Sequence, residues 1–169
     1  MSKTQVLGAL KSLLLLDAPR EVRAKHVAEI IRASGPYRWV GIYDVDLERG
    51  TVSNMAWSGP GPPMHLSFPT TQGLTSRAIK KKSTINVGDV AHDSDYLPAL
   101  GNTQSEIIVP VLDKAGKRVI GTIDVESEQR DAFGEGTQQL FEQYAKALRP
   151  LWMTRLRVRE RPRSSRRRS

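Results

Sequence analysis

Ser105-Glu-Ile-Ile-Val-Pro-Val-Leu112 and Val119-Ile-Gly-Thr-Ile-Asp-Val-Glu126 are the two stretches that decide the fold. Both are rich in β-branched residues, and the polar segment Asp113-Lys-Ala-Gly-Lys-Arg118 separates them. Two apolar runs of this composition, joined by a short glycine-containing turn, predict a β-hairpin whose strands pair antiparallel.

Four more strands are predicted on the N-terminal side of this hairpin, where the sequence is again rich in aromatic and β-branched residues. They are Tyr37–Asp46, Thr51–Trp57, His65–Phe68 and Thr84–Val90. The first two are joined by the turn Glu48-Arg-Gly50 and form a second hairpin. A short helix is predicted over Gly73–Lys82, and Ala91–Gln104 is a long polar loop of the kind that can cover a pocket.

Amphipathic helices are predicted at both ends of the sheet. Residues 3–16 carry apolar side chains at helical spacing, and a second helix with the same pattern ends at Ser34-Gly-Pro36. The last helix covers Gly136–Leu148, and Pro150 kinks or ends it.

These elements predict an α+β fold, a single domain with about six antiparallel strands. The terminal helices cover one face of the sheet, and the other face either has a cover of its own or lies open to water and a ligand. The expected domain is 1–154, with a helical part over 3–34 and the sheet and last helix over 37–152. Residues 155–169 are expected to form a disordered arginine-rich tail.

The positive charge of the chain is concentrated in that tail. Residues 155–169 hold eight arginines and one acid, which gives +7 of the total +8, and the other 154 residues hold 18 basic against 17 acidic side chains, or +1. The tail arginines are Arg155, Arg157, Arg159, Arg161, Arg163, Arg166, Arg167 and Arg168. No aromatic residue lies between them, so the tail could bind nucleic acid or an acidic membrane by charge alone, and a role in solubility or partner docking is equally open.

The sequence contains no cysteine. This excludes disulfides, thiolate metal sites, thiol nucleophiles and thiol-linked cofactors, and no other cofactor is indicated. No membrane-spanning stretch or secretory signal is recognisable, so the expected location is the cytoplasm and no membrane insertion is expected.

The order of these elements resembles that of the GAF domain, a relative of the PAS fold. Three stretches resemble more narrowly the free methionine-R-sulfoxide reductase branch of that family, and the segment from Gly73 to Val90 fits the same template. The stretches are Arg38-Trp-Val-Gly-Ile-Tyr43, Ser105-Glu-Ile-Ile-Val-Pro110 and Gly121-Thr-Ile-Asp-Val-Glu-Ser127.

The resemblance implies a pocket for the amino-acid part of free methionine sulfoxide. The positions that match its binding residues are Trp39, Tyr43, Glu106, Asp124 and Glu126, the last being an aspartate in the branch. The branch's cysteines fall near Thr75, near Ala99 and in the loop around Met64–His65, and none of them is a cysteine here. The thiol chemistry of the branch therefore does not transfer, and no catalytic residue is assigned.

Strand alternation supports the same pocket independently of the resemblance. In each of three strands, one face carries aliphatic side chains. The opposite faces of the three strands together carry the five aromatic and acidic residues. Three carboxylates beside two aromatic rings would attract an ammonium group, and their mutual repulsion should raise at least one carboxyl pKa. The alternatives are a face that is simply wet, a divalent-cation site, or a general acid–base pair.

Two further motifs can each be interpreted either as a binding site or as ordinary structure. His92-Asp-Ser-Asp95 has the composition of a metal loop but is more typical of a solvated polar loop, and no metal site is assigned. Gly73-Leu-Thr75 opens a helix that could bind an anion or could be an ordinary helix start.

The favoured function is a non-catalytic sensor or regulatory domain that binds a small zwitterion or amine. A reductase descendant with a degenerate site, and a nucleic-acid-associated protein that acts through its tail, are the two alternatives. The resemblance also leaves open a homodimer through the terminal helices, which commonly pair in this family.

Overall fold

The computed structural model describes residues 1–98 and 101–153 of the chain. The helices are α1 (Lys3–Leu13), α2 (Arg20–Ala33), α3 (Gly73–Lys81) and α4 (Glu135–Leu148), with a short 3-10 helix at Val90–His92. The strands are β1 (Trp39–Asp46), β2 (Thr51–Ser58), β3 (Ser67–Pro69), β4 (Ile85–Val87), β5 (Ser105–Leu112) and β6 (Val119–Ser127). The arginine tail that the sequence analysis singled out lies outside the described residues.

The six strands form one antiparallel sheet in the order β3-β2-β1-β6-β5-β4. The hairpin of β5 and β6 forms as predicted, and β6 also pairs with β1, so the three strands that carry the candidate pocket residues are neighbours. The prediction of an α+β fold with a six-stranded antiparallel sheet is confirmed.

One face of the sheet packs against the terminal helices. The aliphatic side chains Val40 and Ile42 of β1, with the corresponding residues of β5 and β6, form a buried core with α1, α2 and α4. Ser2 caps α1 through a capping box with Gln5, which satisfies two backbone groups at that helix start. Within the described residues, no helix is long and apolar enough to span a bilayer.

The opposite face is covered as well. Leu74 and Ala78 of α3 pack on Ile85 and Ile108, while Trp39 and its neighbours form a separate apolar cluster nearer β2. The alternative of a face that is simply wet does not hold, because a short helix and its adjoining loops enclose that face.

Several predicted boundaries differ from the structure. The third strand lies at Ser67–Pro69, and β4 ends at Val87, because Gly88 and the 3-10 helix follow at once. Helix α4 ends at Leu148 as predicted, and residues 150–153 form a further helical turn in which Trp152 is buried.

The buried Trp152 fixes this last turn to the sheet. Its indole N–H donates a hydrogen bond to the Tyr43 carbonyl oxygen at 2.9 Å. A side chain at Gly121 would place its first carbon 1.9 Å from the indole nitrogen, so only glycine leaves room for the ring. The end of the described chain is thus in direct contact with a strand that carries candidate pocket residues.

Candidate functional site

The candidate residues lie in rows that cross three neighbouring strands. In the first row, Trp39 of β1 pairs with Glu126 of β6, which pairs in turn with Glu106 of β5. The next row contains Gly41, Asp124 and Ile108. Two glutamates therefore face each other directly across a strand pair, an arrangement that is unfavourable when both are ionised.

The two aromatic rings fold over Gly41. The centroids of Trp39 and Tyr43 are 6.4 Å apart, with an angle of 49° between the ring planes. A carbon at the Cβ position of Gly41 would lie 2.4 Å from the Trp39 ring and 2.6 Å from the Tyr43 ring. The glycine lets both rings lie over the sheet beside Asp124, its partner on β6.

All three carboxylates are buried. The exposed fraction is 6% for Glu106, 5% for Asp124 and 0% for Glu126. The Thr103 hydroxyl donates a hydrogen bond to one oxygen of Glu126, but the Oε1 atom of Glu126 and the Oδ1 atom of Asp124 are buried without a partner within the described structure. A buried acceptor without a partner costs about 1–3 kcal/mol, so these oxygens mark a place where a donor is missing.

Burial shifts the protonation of the carboxyl groups toward the neutral form. It raises the pKa of Asp124 to about 7; the neighbouring Thr122 hydroxyl opposes this shift, and the charge of Glu126 adds to it. Burial also raises the pKa of Glu126 to about 7, although the Thr103 hydrogen bond and the charge of Arg38 oppose the shift. The pKa of Glu106 is raised well above its ordinary value by burial first and by the two neighbouring carboxylates second.

The predicted rise in carboxyl pKa is found, but its main cause differs from the predicted one. Desolvation disfavours the charged form more than repulsion between the carboxylates does. The same burial, followed by the three acidic neighbours, raises the pKa of the Tyr43 hydroxyl well above its ordinary value. The Tyr43 hydroxyl therefore stays protonated and can act as a donor.

All five candidate residues line one narrow cavity, together with the segments that cover them. Its cover consists of Phe68 from β3, the start of α3 and the polar loop, which contributes Leu97 and Pro98. The cavity volume, as space open to the centres of water molecules, is about 30 Å³. This holds about two waters, so an amino acid would enter only if the cover moved.

An ion pair ties the polar loop to α3. An Nη atom of Arg77 lies 2.6 Å from a carboxylate oxygen of Asp93, and a second contact reaches Asp95 at 3.7 Å. Residues 93–95 therefore serve as an anchor for the cover rather than as part of a metal loop. Within residues 1–98 and 101–153, no three histidine or acidic side chains are grouped as a metal ion requires.

Two of the three places near which the resemblance puts the family's cysteines border the same cavity. Thr75 lies in the first turn of α3, and His65 lies in the loop that precedes β3. The third position, Ala99, lies outside the described residues. The cavity thus contains the candidate binding groups, while the two described positions carry no thiol.

Sequence reasoning did not identify several residues of this site. Phe68 and Leu97 line the cavity, Thr103 bonds Glu126, and Gly61 accepts the Trp39 indole hydrogen bond at 3.1 Å. Each lies in or beside an irregular segment, where no periodicity indicates which way a side chain points. The length of the polar loop Ala91–Gln104 is the one feature of the sequence that indicates a cover over the pocket.

Comparison with known proteins shows similarity to GAF domains. The family model described as GAF domain matches residues 20–149. The GAF domain-containing protein A of Dictyostelium discoideum is 26% identical over 143 residues, which is 85% of this chain and 87% of that protein.

Two solved reductases are also similar. The free methionine-R-sulfoxide reductase from Neisseria meningitidis, solved with its substrate, has a TM-score of 0.80 and 26% identity, covering 92% of this chain and 91% of that one. The type II free methionine-R-sulfoxide reductase from Thermoplasma acidophilum has a TM-score of 0.74 and 27% identity, covering 86% and 96%.

Proposed function

Because the chain belongs to the GAF domain family, we propose that it is a non-catalytic sensor domain that binds a small zwitterion or amine in the carboxylate pocket. The observation that carries this proposal is the pair of buried carboxylate oxygens without partners, on Asp124 and Glu126. An ammonium group would supply both the missing hydrogen-bond donors and a compensating charge.

The aromatic rings favour the same class of ligand. Trp39 and Tyr43 lie next to the carboxylates, and the face of an aromatic ring attracts a cation by about 0.5–2 kcal/mol. The ammonium would lie between the rings and Asp124, and the apolar part of the ligand would contact Phe68 and Leu97 in the cover.

A zwitterion fits better than a simple amine because of the start of α3. Gly73, Leu74 and Thr75 line the cavity, and the first turn of this helix has no side-chain cap. Free N–H groups at a helix start favour an anion, so the carboxylate of an amino acid would be placed there. This supports a free amino acid as the ligand, and the names of the two similar reductases make methionine or its sulfoxide the first candidates to test.

The absence of cysteine supports a binding role over the reductase alternative. Reduction of a sulfoxide by thiol chemistry needs a thiolate that attacks sulfur and a second thiol that releases the product. The full sequence contains no cysteine. Hydroxyl and imidazole groups at Thr75 and His65 cannot form the disulfide on which that cycle depends.

The test is calorimetric titration with free amino acids, their decarboxylated amines and their amidated forms. We expect a dissociation constant between micromolar and millimolar, or about −8 to −4 kcal/mol. Asp124→Asn and Glu106→Gln should each weaken binding by about 1–3 kcal/mol, because each removes a charge-assisted hydrogen bond.

The control variant is Glu29→Gln, which removes an exposed carboxylate on α2. It should leave the affinity unchanged. Absence of binding for every compound in the panel would refute the proposal, and so would equal losses in Glu29→Gln and Asp124→Asn.

A further inference from the structure

A basic groove lies between the end of α3 and the C-terminal half of α4. Its floor is formed by Val109, Pro110 and Leu112 of β5, and its walls carry Lys82, Ser83, Thr84, Lys146 and Arg149. None of these residues lines the carboxylate pocket.

The charge of this groove is strongly one-sided. Lys82 and Lys146 are exposed, and Lys80 and Lys81 precede Lys82 in the exposed last turn of α3. Glu142 is the acid in the described lining, and its carboxylate accepts hydrogen bonds from the side chains of Thr84 and Gln138. The described lining therefore carries three basic side chains against one acid.

One cation at this place is fixed by a backbone hydrogen bond, and another occupies an unusual backbone position. The Arg149 Nε atom donates to the Leu112 carbonyl oxygen at 2.9 Å, which fixes the guanidinium beside β5. Lys82 has a φ of 52°, in the left-handed region where glycine is the usual residue after a helix. At a position that favours glycine for backbone reasons, this chain carries a charged side chain.

We propose that this groove binds the phosphate backbone of a nucleic acid without reading its sequence. Lysine, arginine and hydroxyl groups are the usual donors to phosphate oxygens. No aromatic side chain is present in the described lining, so there is no platform for stacking a base. The large apolar side chains that the described surface exposes, such as Leu15 and Met64, lie on other elements, so the described lining of the groove offers no apolar anchor to strengthen attachment to an acidic membrane.

The experiment measures binding of the full chain to a fluorescently labelled mixed-sequence DNA duplex of about 20 base pairs, by anisotropy across a range of salt concentrations. The test variant is Lys82→Gly with Lys146→Gln, because glycine suits the left-handed backbone and both residues are exposed. Two lost phosphate contacts should reduce the log–log salt slope by about 1.8 and lower the affinity by about tenfold or more at 0.1 M salt.

The matched control is Lys3→Gln with Lys11→Gln, which removes two exposed charges from α1. It should change the affinity by less than about threefold, and a second duplex of unrelated sequence should bind equally well. Equal losses in the two double variants, or no loss in the groove variant, would overturn the proposal. Binding to phosphatidylserine vesicles without binding to DNA would overturn it as well. The pocket proposal does not depend on any of these outcomes.

Discussion

Replacing Asp124 by asparagine should stabilise the empty protein at alkaline pH, although it should weaken ligand binding. The carboxyl group is 5% exposed, and its burial raises the pKa from 3.8 to about 7. The folded state therefore holds this proton more tightly than the unfolded chain does. Stability is lost as the pH rises through the interval between about 4 and about 7, because the unfolded chain releases this proton in that interval while the folded protein retains it.

The size of the effect follows from the pKa change. A shift from 3.8 to about 7 corresponds to roughly 4 kcal/mol, at about 1.4 kcal/mol for each pKa unit. Asparagine has nearly the same shape as a protonated aspartic acid, so the variant should match the parent near pH 4. Its free energy of unfolding should exceed that of the parent by about 2–4 kcal/mol at pH 9. The lower value applies if Asp124 and Glu126 share a proton in the parent.

The assay is urea unfolding followed by circular dichroism at several pH values between about 4 and 9. Both proteins are first unfolded and refolded without ligand, since a bound ligand would stabilise the parent selectively. The control is Asp113→Asn in the β5–β6 turn. Backbone hydrogen bonds from Lys117 and Arg118 help to lower the pKa of Asp113, so its loss should destabilise the protein at neutral pH and have little effect in acid.

The two variants should thus show opposite trends with pH. If Asp124→Asn destabilises the protein at pH 9, or if its effect does not change with pH, the Asp124 carboxylate is not desolvated in the way described. The pocket would then be open to water, and the reasoning from partnerless buried oxygens would fail.

Three other predictions concern binding, packing and chemistry. The affinity for an amine should rise about 50-fold between pH 5 and pH 7 for each carboxyl group with a pKa of about 7 that must ionise before the amine binds. An affinity that calorimetry finds unchanged over this pH range would contradict the prediction. Gly121→Ala should destabilise the fold by about 2–5 kcal/mol because it displaces the buried Trp152 ring, and the additional change Trp152→Leu should recover part of that loss in denaturant unfolding. Thioredoxin-coupled assays should show no turnover of free methionine-R-sulfoxide, and sustained NADPH consumption by the unmodified protein would refute the proposed non-catalytic role.

Strand periodicity was sufficient to predict which side chains share a face. Alternation is a local property of a strand. Trp39 and Tyr43 could therefore be assigned to one face of β1, and Asp124 and Glu126 to one face of β6, without knowledge of the fold. The hairpin of β5 and β6 was equally accessible, since both strands and their turn are contiguous in sequence. The fold class follows from these local signals together with the terminal helices.

The register between strands could not be predicted in the same way. Glu106 faces Glu126 because the pairing of β5 with β6 has a register shift near Leu112, and no local pattern shows where such an irregularity falls. The cover was also inaccessible. Thr103 and Leu97 are placed by contacts with distant elements, so the burial that dominates the carboxyl pKa values emerges only in three dimensions.

The division of the site between sheet and cover explains how binding and catalysis can be separated in one fold. The carboxylates and rings are carried by β1, β5 and β6, where strand pairing and the helix-side core fix their positions. Thr75 and His65, near which the resemblance puts two of the family's cysteines, lie in the cover instead. A change in the cover can remove a thiol without moving any residue of the sheet. Amino-acid binding without turnover is therefore the combination that the proposed function predicts. The calorimetric and the thioredoxin-coupled assays test binding and turnover independently.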